Sequence, residues 1–100
     1  MTWTKERLPD GTVRAETEII NRLGLHARAA ARFVETASRY SADVTVANGE
    51  ECVSGKSILG LMMLAAAEGT TLTLTASGRD ADTVLDALCE LIAARFHEGS

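Results

Sequence analysis

The sequence predicts an α+β fold: an open-faced β-sandwich whose four-stranded antiparallel sheet is covered on one face by three helices, in the order β-α-β-β-α-β-α. Three observations lead there. Short segments alternate apolar and polar residues, as half-buried strands do. Longer segments repeat their apolar residues at helical spacing. Asn48-Gly49 interrupts one alternating run where a hairpin needs a turn with positive φ. A hairpin with returning strands packs most simply as an antiparallel sheet with its helices on one side.

The elements follow in order. Residues 1–11 are polar, contain the single proline, Pro9, and read as an N-terminal extension to a domain spanning 12–100. Val13 to Ile20 alternates through Val13, Ala15, Thr17 and Ile19, which predicts the first strand. Ala27 to Tyr40 carries an apolar stripe of Ala30, Phe33, Val34, Ala37 and Tyr40, opposite Arg28, Arg32, Glu35 and Arg39. ADVTVANGEECV predicts the hairpin, with a type I′ turn at Asn48-Gly49. Ser57 to Ala66 predicts a short helix closed by Gly69, and Thr71 to Ala76 alternates as the last strand. Asp80 to Phe96 predicts the final helix, with Ala81, Val84, Leu85, Leu88, Leu91 and Ile92 on one stripe.

Composition excludes several functions. One hundred residues with net charge −4 form one domain and argue against a general nucleic-acid binder. No apolar run is long enough to cross a bilayer, and the first twenty residues lack the apolar centre of a secretory signal. Cys52 and Cys89 stand apart, with no ligand-spaced partner, and are expected to be two buried thiols rather than a disulfide or metal site. The expectation is a cytoplasmic, monomeric domain that uses no cofactor.

Charge placement singles out one site. The final helix has Asp80 and Asp82 in its first turn and Arg95 and His97 near its end, as a helix dipole favours. The helix after His26 does the reverse: Arg28 and Arg32 stand near its start, and its first acid is Glu35. An anion at that start would compensate. Gly24 permits a sharp turn just before it. The free N–H groups of the first turn, around Ala27 and Arg28, would converge there with the imidazole, and Arg28 would add a fork of donors suited to phosphate oxygens. A neutral histidine at such a site can itself attack phosphorus. The sequence shows no acid, second histidine or paired carboxylates beside His26, so the domain is expected to be loaded and unloaded by others. A passive anion-binding module would use the same donors without covalent chemistry.

SGKS is not a nucleotide-binding loop. Gly49 precedes Gly55 with five residues between them where a P-loop has four, and a hairpin stands where a parallel βαβ unit is needed. Ser57 is expected to cap the short helix. With Leu61 and Leu64 inward, Leu59, Met62 and Met63 would face outward as a docking surface, with Gly60 keeping one side low for a partner.

LGLHARAAARF resembles the active-site motif, usually G-L-H-A-R-P-A, of the HPr family, the histidine phosphocarriers of the bacterial phosphoenolpyruvate phosphotransferase system. SGKSILGLMML resembles that family's second signature, which contains its regulatory serine. The resemblance spans about residues 12 to 96. It implies that Enzyme I phosphorylates His26 at Nδ1 with Arg28 assisting, and that a IIA-type acceptor takes the group. It also implies that HPr kinase/phosphorylase modifies Ser57, and that partners grip the first two helices together. The docking residues would be Arg28, Arg32, Ile58, Leu59, Met62 and Met63. Ala29 stands in place of the motif's proline, which looks more like the family's nitrogen-related, mainly regulatory branch than its sugar-transporting one.

Overall fold

A computed structural model describes residues 3–98. Five strands, β1 (Trp3–Arg7), β2 (Val13–Glu18), β3 (Asp43–Asn48), β4 (Glu51–Ser54) and β5 (Thr71–Ser77), form one sheet in the order β1-β2-β5-β3-β4. All neighbours are antiparallel. Three helices, α1 (Ala27–Ala37), α2 (Ile58–Met63) and α3 (Ala81–Ala93), complete the open-faced sandwich.

Alternation decides which sheet face is covered. Val13, Ala15 and Thr17 of β2, Val44 and Val46 of β3, and Leu72, Leu74 and Ala76 of β5 are buried. Their neighbours Arg14, Glu16, Glu18, Asp43 and Thr45 are exposed. Against the buried face lie Phe33 of α1, Leu61 of α2 and Val84, Leu85, Leu88 and Ile92 of α3, all fully buried. Gly55 is a packing residue. A Cβ there would lie 2.6 Å from a Val44 methyl carbon and 3.3 Å from the Phe33 ring, so only glycine lets this chain segment sit over them.

The structure departs from the sequence expectations in several places. The sheet has five strands rather than four, because Trp3–Arg7, within the segment read as an extension, pairs with β2. Lys5 Nζ reaches from that strand to Asp82 and, at 2.5 Å, to Asp86 of α3. The hairpin turn lies one residue later than Asn48-Gly49. Asn48 pairs with Glu51, Gly49 has φ 64° as the first of two loop residues, and the turn is of type II′. The Asn48 side chain instead donates to the Leu64 carbonyl at 3.0 Å.

The second helix ends at Met63 rather than Ala66, followed by Ala65 in a left-handed conformation (φ 51°). The third ends at Ala93, and Arg95, Phe96 and His97 form a left-handed turn with φ of 56°, 54° and 62°. Arg95 and His97 therefore stand beyond the last helical turn. Asp80 does not cap α3 with its side chain. Its carboxylate accepts the Ser41 and Ala42 N–H groups at 2.9 and 2.8 Å. Finally, Cys89 is buried but Cys52, on β4, is exposed. Edge strand β4 carries no helix over that side chain.

Candidate functional site

The site begins with a close approach that only glycine allows. Gly24 has φ 68°, and a Cβ there would stand 2.5 Å from the Ala66 carbonyl oxygen. That oxygen accepts the Leu25 N–H at 2.9 Å. The entrance of α1 is thereby fastened to the segment leaving α2. His26 follows as the N-cap residue, in extended conformation, with its carbonyl accepting from the Ala30 N–H at 2.8 Å.

The His26 side chain makes no cap hydrogen bond. Its Nε2 instead meets Oε2 of Glu98. Oε1 of Glu98 accepts from Asn21 Nδ2 at 2.8 Å, and the same amide donates to the Gly24 carbonyl at 2.8 Å. Asn21 is fully buried, and the Glu98 side chain is only 10% exposed, against 28% for His26. Burial alone would push the Glu98 carboxyl up; hydrogen bonds from His26 and Asn21, with the charges of His26 and Arg32, bring it below the usual carboxylate range.

The expectation that no acid and no second histidine stand near His26 is therefore corrected. Glu98 touches the ring, and His97 lines the same depression of about 550 Å³ together with Arg28 and Arg32. Neither residue was legible, because 72 positions separate His26 from Glu98 and a left-handed turn after α3 brings them together. Asn21 carried no signal beyond its place after a strand.

Arg28 and Ala27 are exposed, and Ala29 is fully buried in the place of the motif's proline. The N–H groups of Ala27, Arg28 and Ala29 find no backbone partner among the described residues. Arg32 is half-buried, and its guanidinium donates to the Phe96 carbonyl. It thus has a structural contact besides its place in the depression.

Ser57 caps α2, its Oγ accepting the Gly60 N–H at 3.0 Å. Leu61 and Leu64 are buried, whereas Ile58, Leu59, Met62 and Met63 are exposed. Leu23, which the sequence reading passed over, is equally exposed beside His26. Gly60 does not open a side to partners. A Cβ there would come 3.1 Å from Val53 Cβ and from Ser57 Oγ, so it lets α2 sit down on β4 and its own cap. Among the described residues, no three His, Cys, Asp or Glu side chains gather as a metal site would require, and no helix is long and apolar enough to cross a membrane.

A half-exposed imidazole at a helix entrance rich in unpaired N–H groups, carried on an open-faced sandwich, is the architecture of a small phosphocarrier domain. Residues 13–94 match the family model described as "PTS HPr component phosphorylation site". Phosphocarrier protein HPr of Pseudomonas aeruginosa is 58% identical over 85 residues, covering 84% of this chain and 94% of that protein. Phosphocarrier protein NPr of Shewanella violacea is 47% identical over 85 residues, covering 85% and 93%. The crystal structure of HPr-C-His from Thermoanaerobacter tengcongensis superposes with a TM-score of 0.82 at 41% identity, over 85% of this chain and 96% of that one. The chain belongs to the HPr family of phosphocarrier proteins of the phosphotransferase system.

Proposed function

We propose that His26 accepts a phosphoryl group from phospho-Enzyme I and passes it to IIA-type acceptors, the protein acting as a monomeric cytoplasmic carrier. The observation that supports this most is the state of the ring. Among the described residues, His26 occupies the N-cap position yet leaves the first N–H groups of the helix unpaired, and its Nδ1 makes no hydrogen bond. A phosphoryl group on Nδ1 would receive the Ala27 and Arg28 N–H groups and the positive end of α1. Arg28, exposed at the rim, supplies a guanidinium for the remaining oxygens. Partner docking falls to Arg28, Arg32, Ile58, Leu59, Met62 and Met63.

Ser57 is the regulatory position in this reading, modified by HPr kinase/phosphorylase. A phosphate there adds about −1.5 to −2 charges at neutral pH, which the N-terminus of α2 tolerates. The same charge stands beside Ile58 and Leu59 and has to be desolvated when a partner covers them. The brake therefore acts on docking and not on folding.

A second reading, a mainly regulatory carrier not coupled to sugar uptake, draws support from Ala29 and from the similarity to the Shewanella NPr. Incubation with phosphoenolpyruvate and Enzyme I tests the carrier itself. The expected result is one acid-labile, base-stable phosphoryl group, lost in His26→Ala. Label that persists on His97 in that variant would overturn the assignment, and the absence of any label would leave a passive anion binder. Competing IIA proteins of the sugar and nitrogen types then separate the two branches by their rates of label uptake.

A further inference from the structure

The polypeptide goes to some length to place Glu98 against His26. Three consecutive non-glycine residues, Arg95, Phe96 and His97, adopt left-handed backbone that L-residues disfavour. The fully buried Phe96 ring and the Arg32 guanidinium on the Phe96 carbonyl hold that turn in place. Beyond it, both carboxylate oxygens of Glu98 are engaged, one by the buried Asn21 amide and one by Nε2 of His26. Sustained strain with a buried orienting amide marks a placed group rather than a passing surface contact.

We propose that Glu98, aligned by Asn21, is a positioning residue for His26. It holds the ring proton on Nε2, directs the Nδ1 lone pair outward, and offsets the positive charge that the ring gains on phosphorylation. This rests on His26 being the phosphoryl acceptor. A carboxylate accepting from one ring nitrogen fixes the tautomer, because only the protonated nitrogen can donate to it. The groups facing the ring support the division of labour. Arg28, Arg32, His97 and Glu98 line one depression with His26, and within it Glu98 takes Nε2 while Nδ1 has no hydrogen-bond partner among the described residues.

The step balances without a proton acceptor. With a phosphohistidine donor, the Nδ1 lone pair of His26 forms the new N–P bond while the donor's P–N bond breaks. The bonding pair returns to the donor nitrogen. The proton on Nε2 stays where it is, so the His26 ring becomes a phosphorylated imidazolium whose charge lies against the Glu98 carboxylate. No group besides donor and acceptor changes its covalent bonds. Transfer onward runs the same sequence in reverse.

Nitrogen-15 NMR of the full chain tests the geometry without any substitution. The expected spectrum has the neutral His26 ring protonated on Nε2, with a shift toward mixed tautomers in Glu98→Ala. The kinetic test follows phosphoryl transfer from phospho-Enzyme I to the wild type, Glu98→Ala and Glu98→Asp. The expected maximal rate for Glu98→Ala is lower by roughly tenfold, the scale of one charge-assisted hydrogen bond. The Enzyme I concentration at half-maximal rate should hardly move, because Glu98 is largely buried, and Glu98→Asp should recover part of the loss. A wild-type ring protonated mainly on Nδ1 would overturn the proposal. So would equal transfer rates in all three proteins, or faster transfer in Glu98→Ala, which would make the carboxylate an obstruction. Loss of the parent reading has a different signature: no label on His26 in the wild type itself.

Discussion

Arg32 of α1 donates from its guanidinium to the main-chain carbonyl of Phe96, joining a helix face to the left-handed turn 64 residues further along the chain. The contact gives one of the two arginines that a helix start disfavours a structural reason to be there. It also satisfies a carbonyl that a regular helix would have used. Arg32→Ala is expected to lower stability by about 1.5 kcal/mol, the low end of the range for a hydrogen bond that involves a charged group. Hydrogen exchange checks the location: faster exchange should be confined to the amides of the turn and Glu98. Acceleration spread through α1 would mean that Arg32 supports the helix instead.

Asp80 provides a pH-dependent tie. Its carboxylate accepts the Ser41 N–H and the Ala42 N–H, and these hydrogen bonds, that from Ser41 foremost, hold it below its ordinary value. A carboxyl depressed in the folded state stabilises that state above its unfolded pKa, about 3.9, and loses the contribution as pH falls through the folded value. Asp80→Ala should therefore lower the urea midpoint at pH 7. The gap between the two proteins should close as the pH approaches 2. A gap that stays constant across this range would show that the carboxylate's charge is irrelevant to the tie.

What was legible in the sequence divides along physical lines. Alternation in Val13 to Glu18 and Thr71 to Ala76 reports directly which side chains enter the core, because a strand's side-chain period is two. The outward turn of Leu59, Met62 and Met63 was legible for the same reason on a helix. His26 and Arg28 stood out because they break a local electrostatic rule. Trp3–Arg7 did not, since an edge strand with one covered residue, Trp3, carries almost no apolar period. The Glu98–Asn21–His26 group was illegible because it depends on a backbone turn that L-residues avoid, and no local pattern announces such a turn. Asp80 misled in an instructive way. Its position suits a helix start, but the loop before β3 offers two N–H groups that compete for it.

The two cysteines should behave as chemical opposites. Burial, with the charge of Asp86 adding to it, pushes the Cys89 thiol up to about 12. At neutral pH that leaves roughly a thousandfold less thiolate than in an ordinary exposed thiol, and the reagent has no path to it. Cys52 is exposed on an edge strand. Ellman's reagent at pH 8 should titrate one thiol in the native protein and two in urea, and Cys52→Ser should remove the native reaction. Two thiols titrating at equal rates without denaturant would place Cys89 in a region that opens readily.

Helix α2 separates stability from recognition residue by residue, and the separation can be measured. Leu61 is 0% exposed and lies over the sheet, whereas Leu59 on the same six-residue helix is 70% exposed. Leu61→Ala should cost about 2–5 kcal/mol, through lost burial and the cavity left behind. Leu59→Glu touches no core contact and should change stability by no more than about 0.5 kcal/mol. Met62→Glu, at 43% exposure, should fall between them but nearer the second. Binding should rank the same residues differently. A carboxylate placed at Leu59 or Met62 has to be desolvated when a partner covers the helix, so affinity for Enzyme I is expected to fall by roughly tenfold or more. Leu61→Ala should leave the affinity of the folded fraction close to that of the wild type. Urea unfolding and titration calorimetry with Enzyme I, run on the same three variants, decide the matter. If Leu59→Glu loses stability and binding together, the side chain belongs to the core and the exposed face of α2 is not the docking surface. If it loses neither, partners dock elsewhere, and Ser57 beside it would have no surface to guard.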